Sequence, residues 1–247
     1  DVSARVECQD VALVAERPMY FNYQGAWDGG HNAVGSTSLD NRWYFAEGTT
    51  REGFDTYLCL QNPNPYDATA TVTYILGDGT TQQSKVGLLP LSRQTVKVND
   101  IIGADRDVSL VVDADRQILA ERPMYFDYHG VSRGGHNAVG SRTPKNSWFF
   151  AEGTTRTGFD EWLCLENPGD QGATATINYM LANGSVLEKN VSVPAHTRVT
   201  VDVRRAVGND QDVSVSIWCS RGIIAERPMY FDAGDRRLPG GTNVMGI

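Results

Sequence analysis

Apolar and polar residues alternate with a period of two along most of this chain. Val213, Val215, Ile217 and Cys219 take one parity, while Ser214, Ser216 and Trp218 take the other. Val108, Leu110, Val112 and Ala114 repeat the pattern, as do Val2, Ala4, Val6 and Cys8. Such alternation marks strands with one face in a core. Between residues 42 and 126 it predicts strands over 42–47, 57–62, 68–76, 81–88, 94–98, 108–114 and 118–126, and no run of 3.6 periodicity is long enough for a substantial helix. Asp78-Gly79 and Asn183-Gly184 fall between strand patterns, where two-residue hairpins are expected. Asn62-Pro63 and Asn167-Pro168 end a strand and open a turn. The expected fold class is all-β, with about seven strands in each of several tandem immunoglobulin-like sandwiches.

The tandem arrangement is written in the sequence. AERPMYF occurs at 15–21, 120–126 and 225–231, a constant offset of 105 residues. WYFAEGTT from Trp43 returns as WFFAEGTT from Trp148 at the same offset, and GGHNAVG from Gly29 returns from Gly134 and, altered to GGTNVMG, from Gly240. A period of this length is a small domain that buries its own core, unlike a solenoid repeat of about 20–50 residues. The expected units are a partial module over 1–42, with the last two strands and the glycine loop, and full modules over 43–147 and 148–247. Because the first 42 residues match only the later part of a module, the chain reads as a piece of a longer protein. The partial module is expected to be covered by the module that follows it, or by strands from a neighbouring chain.

Composition removes some function classes. A net charge of −8 and a pI near 5.0 argue against a nucleic-acid partner, and the pairs Arg204-Arg205 and Arg236-Arg237 read as solvated turns. No apolar run approaches the ~18 residues of a membrane span.

Two charges sit on core-facing parities. Arg122 shares its parity with Ile118, Ala120, Met124 and Phe126, and Glu47 shares its own with Trp43 and Phe45. An unpaired buried charge costs several kcal/mol, so the expected structural ion pairs are Arg122 with Glu47 and, one repeat later, Arg227 with Glu152. An arginine that snorkels out at the sheet edge is the alternative. Cys164 and Cys219 form a candidate disulfide bridging the two sheets of one module, and Cys8 with Cys59 a second; buried free thiols are the alternative.

Candidate chemistry is sparse. His31 and His136 recur in register, whereas His129 and His196 do not, and the third copy has Thr242 where the others have histidine. A glycine turn packing against the preceding Tyr/Phe strand explains that loop better than catalysis does. No GxSxG, HExxH, SxxK or P-loop pattern occurs, and no catalytic, cofactor or metal site is expected. Asp105 and Asp107, like Asp210 and Asp212, alternate as in a weak calcium loop, but capping of a strand entry suits them better. Trp27, Tyr57, Trp162 and Trp218 could stack on sugars or on a partner protein, or pack between modules. Tyr57 and Trp162 occupy equivalent positions on the parity expected to be exposed, which makes them the candidate binding aromatics.

The string WYFAEGTT, GFD, YLCLQNP, ATATVTY, AERPMYF and GGHNAVG resembles a repeat of secreted and cell-surface proteins of high-GC Gram-positive bacteria, over essentially the whole chain. A fainter similarity, over about one module, is to the sensory rhodopsin transducer family, which has an aromatic strand ending in AEG and a Cys-containing second strand before an Asn turn. That resemblance implies an oligomerising β-sandwich. The expected function is a non-enzymatic extracellular or cell-surface structural repeat protein, serving in a stalk, surface layer or filament. Its expected partners are other copies of itself or surface proteins. The alternative is a multivalent ligand-binding or adhesion module that recognises carbohydrate or protein.

Overall fold

The computed structural model describes residues 1–233 and 238–247. Its elements are β1 (Glu16–Tyr23), β2 (Trp27–Val34), β3 (Asp40–Phe45), β4 (Phe54–Asn62), β5 (Ala68–Leu76), β6 (Thr81–Leu88), β7 (Ser92–Lys97), α1 (Val98–Ile102), β8 (Val108–Tyr128) and β9 (Ser132–Val139). The second repeat supplies β10 (Lys145–Phe150), β11 (Phe159–Asn167), β12 (Ala173–Leu181), β13 (Val186–Val193), β14 (Thr197–Asp202), α2 (Val203–Val207), β15 (Val213–Ala233) and β16 (Leu238–Met245). Each full repeat curls seven antiparallel strands around one core, and no described helix is long and apolar enough to cross a membrane.

The long strands β8 and β15 organise the sandwiches. The first half of β8 lies between β5 and β3, and its second half lies between β4 and β9. One strand thus serves both sheets. The sequence pattern breaks at Asp115–Gln117, where β8 bends from one sheet to the other, so 108–114 and 118–126 read as two strands but are one. Val108, Leu110 and Val112 before the bend, and Ile118 and Ala120 after it, stay on the core face with Trp43, Phe45, Leu58, Leu60, Val72 and Tyr74. Trp43 and its repeat Trp148 are both buried, and each donates its indole N–H to a β8 or β15 carbonyl, Ile118 or Ile223, at 3.0 Å. A buried indole without that acceptor would lose much of what its area contributes.

Four expectations need correction here. The hairpin tips are three-residue turns: Gly79 and Gly184 have positive φ, but Asp78 and Asn183 do not, and Gly79 N donates to Leu76 O at 2.9 Å. A type I turn followed by a left-handed glycine needs only one positive φ, and the Asp78 carboxylate closes it by accepting from Thr80 N at 2.9 Å. Second, GGHNAVG is a strand (β2, β9 and β16) rather than a loop. Third, the segment containing Val2, Ala4, Val6 and Cys8 forms no strand, and Val2 is 87% exposed. Its counterpart in β8 is held by β3 and β5, and residues 1–15 have no such flanking strands. Fourth, Arg204 and Arg205 lie on the single turn of α2, capped by Asp202, rather than in a solvated turn. Arg236 and Arg237 lie outside the described residues.

Candidate functional site

The densest chemistry lies where one module meets the next. Successive Cβ atoms of a strand point to opposite faces, so in AERPMYF the Arg turns toward its own module's core while the preceding Glu turns away from it. Arg122 is fully buried. Its Nη1 donates to the Glu47 carbonyl at 2.7 Å and to Glu47 Oε2 at 2.8 Å, and its Nη2 donates to Glu226 Oε2, in the second module, at 3.0 Å. Glu226 Oε1 also accepts from Ala46 N at 2.7 Å, and Tyr230 donates its hydroxyl to Glu47 Oε1 at 2.9 Å. Arg122 therefore satisfies two carboxylates, one from each module. Arg227 meets Glu152 Oε2 at 3.1 Å, and there the Glu152 side chain is 72% exposed. The arginine is buried in both places, but its glutamate is buried in one and open to solvent in the other.

The joint recurs. Arg17 Nη2 donates to Glu121 Oε2 at 2.8 Å, one repeat before the Arg122–Glu226 contact. Tyr23 stacks on Tyr125 with centroids 4.1 Å apart, and Tyr128 stacks on Tyr230 at 4.4 Å. Phe21 meets Tyr125 edge-on at 5.0 Å, and Phe126 meets Tyr230 in the same way at the same distance. Offset-stacked and edge-on pairs contribute about 0.5–1.5 kcal/mol each beyond the area they bury. The glycines explain why the hairpins can approach. A Cβ on Gly135 would lie 2.9 Å from Phe21 Cζ, and one on Gly241 would lie 2.5 Å from Phe126 Cζ. Only glycine leaves room for the ring of the preceding module. Gly241→Val is expected to lower stability by about 1–3 kcal/mol through overpacking, read as a lower urea midpoint. The hairpin of β1 and β2 docks on the first module through this same seam, so the partial module is covered by the module that follows it, apart from residues 1–15.

The seam is buried and charged. Burial pushes the Glu47 carboxyl up, but the Arg122 guanidinium, His136 and the Tyr230 hydroxyl outweigh it and hold Glu47 below its ordinary range. Burial raises Glu226, with Arg122 opposing and Glu47 adding to the rise. Glu166 is fully buried, and burial reinforced by Glu226 pushes it well above its ordinary value despite Arg198. Burial also pulls His136 down to about 4, so its ring is neutral near pH 7. Arg198 further ties the modules by donating from Nη1 to Gly48 O at 2.8 Å.

The remaining sequence candidates fall as follows. Tyr57 and Trp162 are half-buried at the two seams: the Tyr57 hydroxyl lies 2.7 Å from that of Tyr23, and the Trp162 indole lies beside the Tyr128 hydroxyl. Neither is a free binding aromatic, because module stacking gives those strands a second buried face. Trp27 packs on Tyr23, whereas Trp218 remains 51% exposed with Phe149 edge-on against it. Asp107 pairs with Arg51 at 2.6 Å and Asp212 with Arg156, while Asp105 and Asp210 adopt left-handed turns. Among the described residues no three His, Cys, Asp or Glu side chains gather as ligands for a metal. His31 and His136 lie among the seam aromatics; His196 meets Asp170 at 2.8 Å, and His129 sits in a left-handed turn beside Tyr128.

The proposed disulfides are absent: Cys8, Cys59, Cys164 and Cys219 are all free thiols. Cys164 alternates with Leu163 and Leu165, so it points away from the core, and its sulfur accepts from Arg198 Nη2 at 3.0 Å. Cys219 is on the core face of the other sheet, paired with Ala175. Cys8 is exposed on the irregular segment, while Cys59 lies on the seam face of β4 against Arg93. Burial pushes Cys164 and Cys219 up to about 12, whereas backbone amides of Val11 and Asp10 lower Cys8. In the native protein a thiol reagent is expected to modify Cys8 first, then Cys59, and to reach Cys164 and Cys219 only after denaturation. A peptide linking Cys164 to Cys219 would contradict this.

A model described as "Family of unknown function (DUF5719)" matches residues 128–226. That span begins at the last residue of β8 and ends within β15, so it takes the repeat in a phase that straddles the seam. No curated protein matches the chain. Among solved structures, the chain is similar to "Crystal Structure of Thermotoga maritima 1070" at 15% identity, covering 42% of this chain and 94% of that one with a TM-score of 0.39. It is also similar to the Anabaena sensory rhodopsin transducer at 22% identity, covering 34% of this chain and 95% of that one with a TM-score of 0.32.

Proposed function

We propose that this chain is a non-enzymatic structural repeat protein, a spacer whose stacked β-sandwich modules set length and stiffness in a cell-surface stalk, surface layer or filament. The observation that carries the reading is the recurrence of one joint at both seams, with Arg to Glu, Tyr on Tyr, and Phe over Gly each displaced by one repeat. Domains in one chain move relative to each other by default unless their interface is large and apolar. Here the second core runs without a break into the first module through Tyr44, Ala46, Ile75 and Val111. Many of the residues that recur are engaged in joining modules, which favours a spacer over an enzyme. Tyr57 and Trp162 are engaged there too, which favours a spacer over a sugar-binding surface.

An extracellular setting is supported by the resemblance of the repeat to those of secreted and surface proteins. It is tested by treating intact cells with trypsin. Loss of the protein from the intact-cell fraction is the expected result, and full protection until lysis would overturn the location. Stiffness is tested by small-angle X-ray scattering of the dilute chain. A single rigid arrangement should fit the profile; a requirement for a spread of inter-module angles would remove the spacer reading.

A further inference from the structure

We propose that the outer face of the second module is a socket for the β1–β2 hairpin of a second copy of this chain, so that copies associate head to tail by the step that relates one module to the next. The inference rests on the spacer reading and adds the partner and the two surfaces.

The internal joint defines what each half needs. On the socket side it uses the amides of Ala46 and Glu47, the Glu47 carboxylate, Arg122 and the ring of Phe126. On the plug side it uses Glu226, Tyr230 and Gly241. One repeat further on, the socket set is Ala151, Glu152, Arg227 and Phe231; two repeats back, the plug set is Glu16, Tyr20 and Gly30. Apart from Arg227, which is itself buried, both sets are exposed or half-buried. Ala46 is buried but Ala151 is exposed, and among the described residues no carboxylate accepts from the amides of Ala151 or Glu152. Tyr230 is 5% exposed but Tyr20 is 86% exposed, and Glu16 is exposed where Glu226 is buried.

The surroundings agree. Tyr44 and Ile75 of the first module are covered by the second, while their repeats Phe149 and Met180 are exposed beside Trp218. Exposed apolar groups gathered on one face mark an interaction surface. The charges match in the same sense, because Arg227 would gain Glu16 as Arg122 gains Glu226. A contact between two different faces builds a filament unless its rotation closes a ring. It should be weaker than the internal seam, because residue 233 is Ala where Tyr23 and Tyr128 stack.

The test is sedimentation of the full chain up to about 1 mM, the weak end of specific association. The mass of the wild-type chain is expected to climb above 27.1 kDa with concentration. A plug variant, Glu16→Arg with Tyr20→Ser, and a socket variant, Ala151→Glu, should each stay monomeric. Glu16, Tyr20 and Ala151 are all exposed, and unchanged circular dichroism and melting temperature confirm folding. An equimolar mixture of the two variants has one intact socket and one intact plug and should stop at a pair. A wild-type chain that stays at its monomer mass at about 1 mM overturns the inference, whether its socket is bare or filled by a further module. Association that survives in either variant overturns it too. A monomer that is rigid in dilute scattering yet never associates removes this inference alone, whereas a monomer that hinges removes the spacer reading.

Discussion

Replacing Arg122 with Met is expected to destabilise the protein by about 3–5 kcal/mol, because two carboxylates, Glu47 and Glu226, lose their shared guanidinium in a site without water access. The same change at Arg227 should cost much less, since Glu152 keeps its solvent. The contrast is the informative part. The two arginines occupy the same place in the repeat and differ in whether another module lies over them and in having Thr56 or Glu161 at the equivalent neighbouring position. Urea titration of both variants measures it, and equal losses would mean that Arg122 acts within its own module alone. Replacing Arg122, Glu47 and Glu226 together with apolar residues should recover much of the loss, as an apolar substitute often does for a buried ion pair.

A pH dependence follows from Glu161. Its counterpart in the first module is Thr56, which bonds locally to the Thr49 carbonyl at 2.6 Å. Glu161 is buried, its carboxylate oxygens find no partner in good hydrogen-bond geometry, and burial, only partly opposed by Arg227 and the backbone amide of Thr154, raises it to about 7. The folded state therefore holds this proton at pH values where the unfolded chain, with an ordinary carboxyl near 4.5, has already released it. Stability from this group is fully present below about 4.5, falls as pH rises through the interval to about 7, and is then level. His136 acts in the opposite sense, because its depressed folded value makes stability rise between about 4 and 6.5. Comparison with Glu161→Thr isolates the carboxyl. The variant should gain on the wild-type chain by about 3 kcal/mol between pH 4.5 and 7.5. A gap that does not change with pH would show that Glu161 is not buried as a charge.

Much of the fold was legible because alternation is strong where one face is buried. The patterns over 68–76 and 81–88 coincide with β5 and β6, and the parity argument placed Arg122 and Glu47 inward. The seam was not legible from alternation, because it gives several strands a second buried face whose residues are polar or aromatic. Glu226 is adjacent to Arg227 and so points the other way, which in one isolated sandwich would be toward solvent. Its only sequence signal was that Glu16, Glu121 and Glu226 recur as faithfully as the arginines. Cys164 had a readable signal, its alternation with Leu163 and Leu165, which sets it off the core face. The β2, β9 and β16 strands were hidden by their glycines, which weaken a strand pattern but are required where another module's ring comes close.

The central claim is that successive modules are locked in one orientation by a joint that repeats. Residual dipolar couplings from backbone amides of the two full modules, in one weakly aligned sample, test it directly. The account predicts that a single alignment tensor fits both modules in the relative orientation fixed by Arg122 and Glu226. Two tensors of different magnitude or direction, fitted separately to each module, would contradict it.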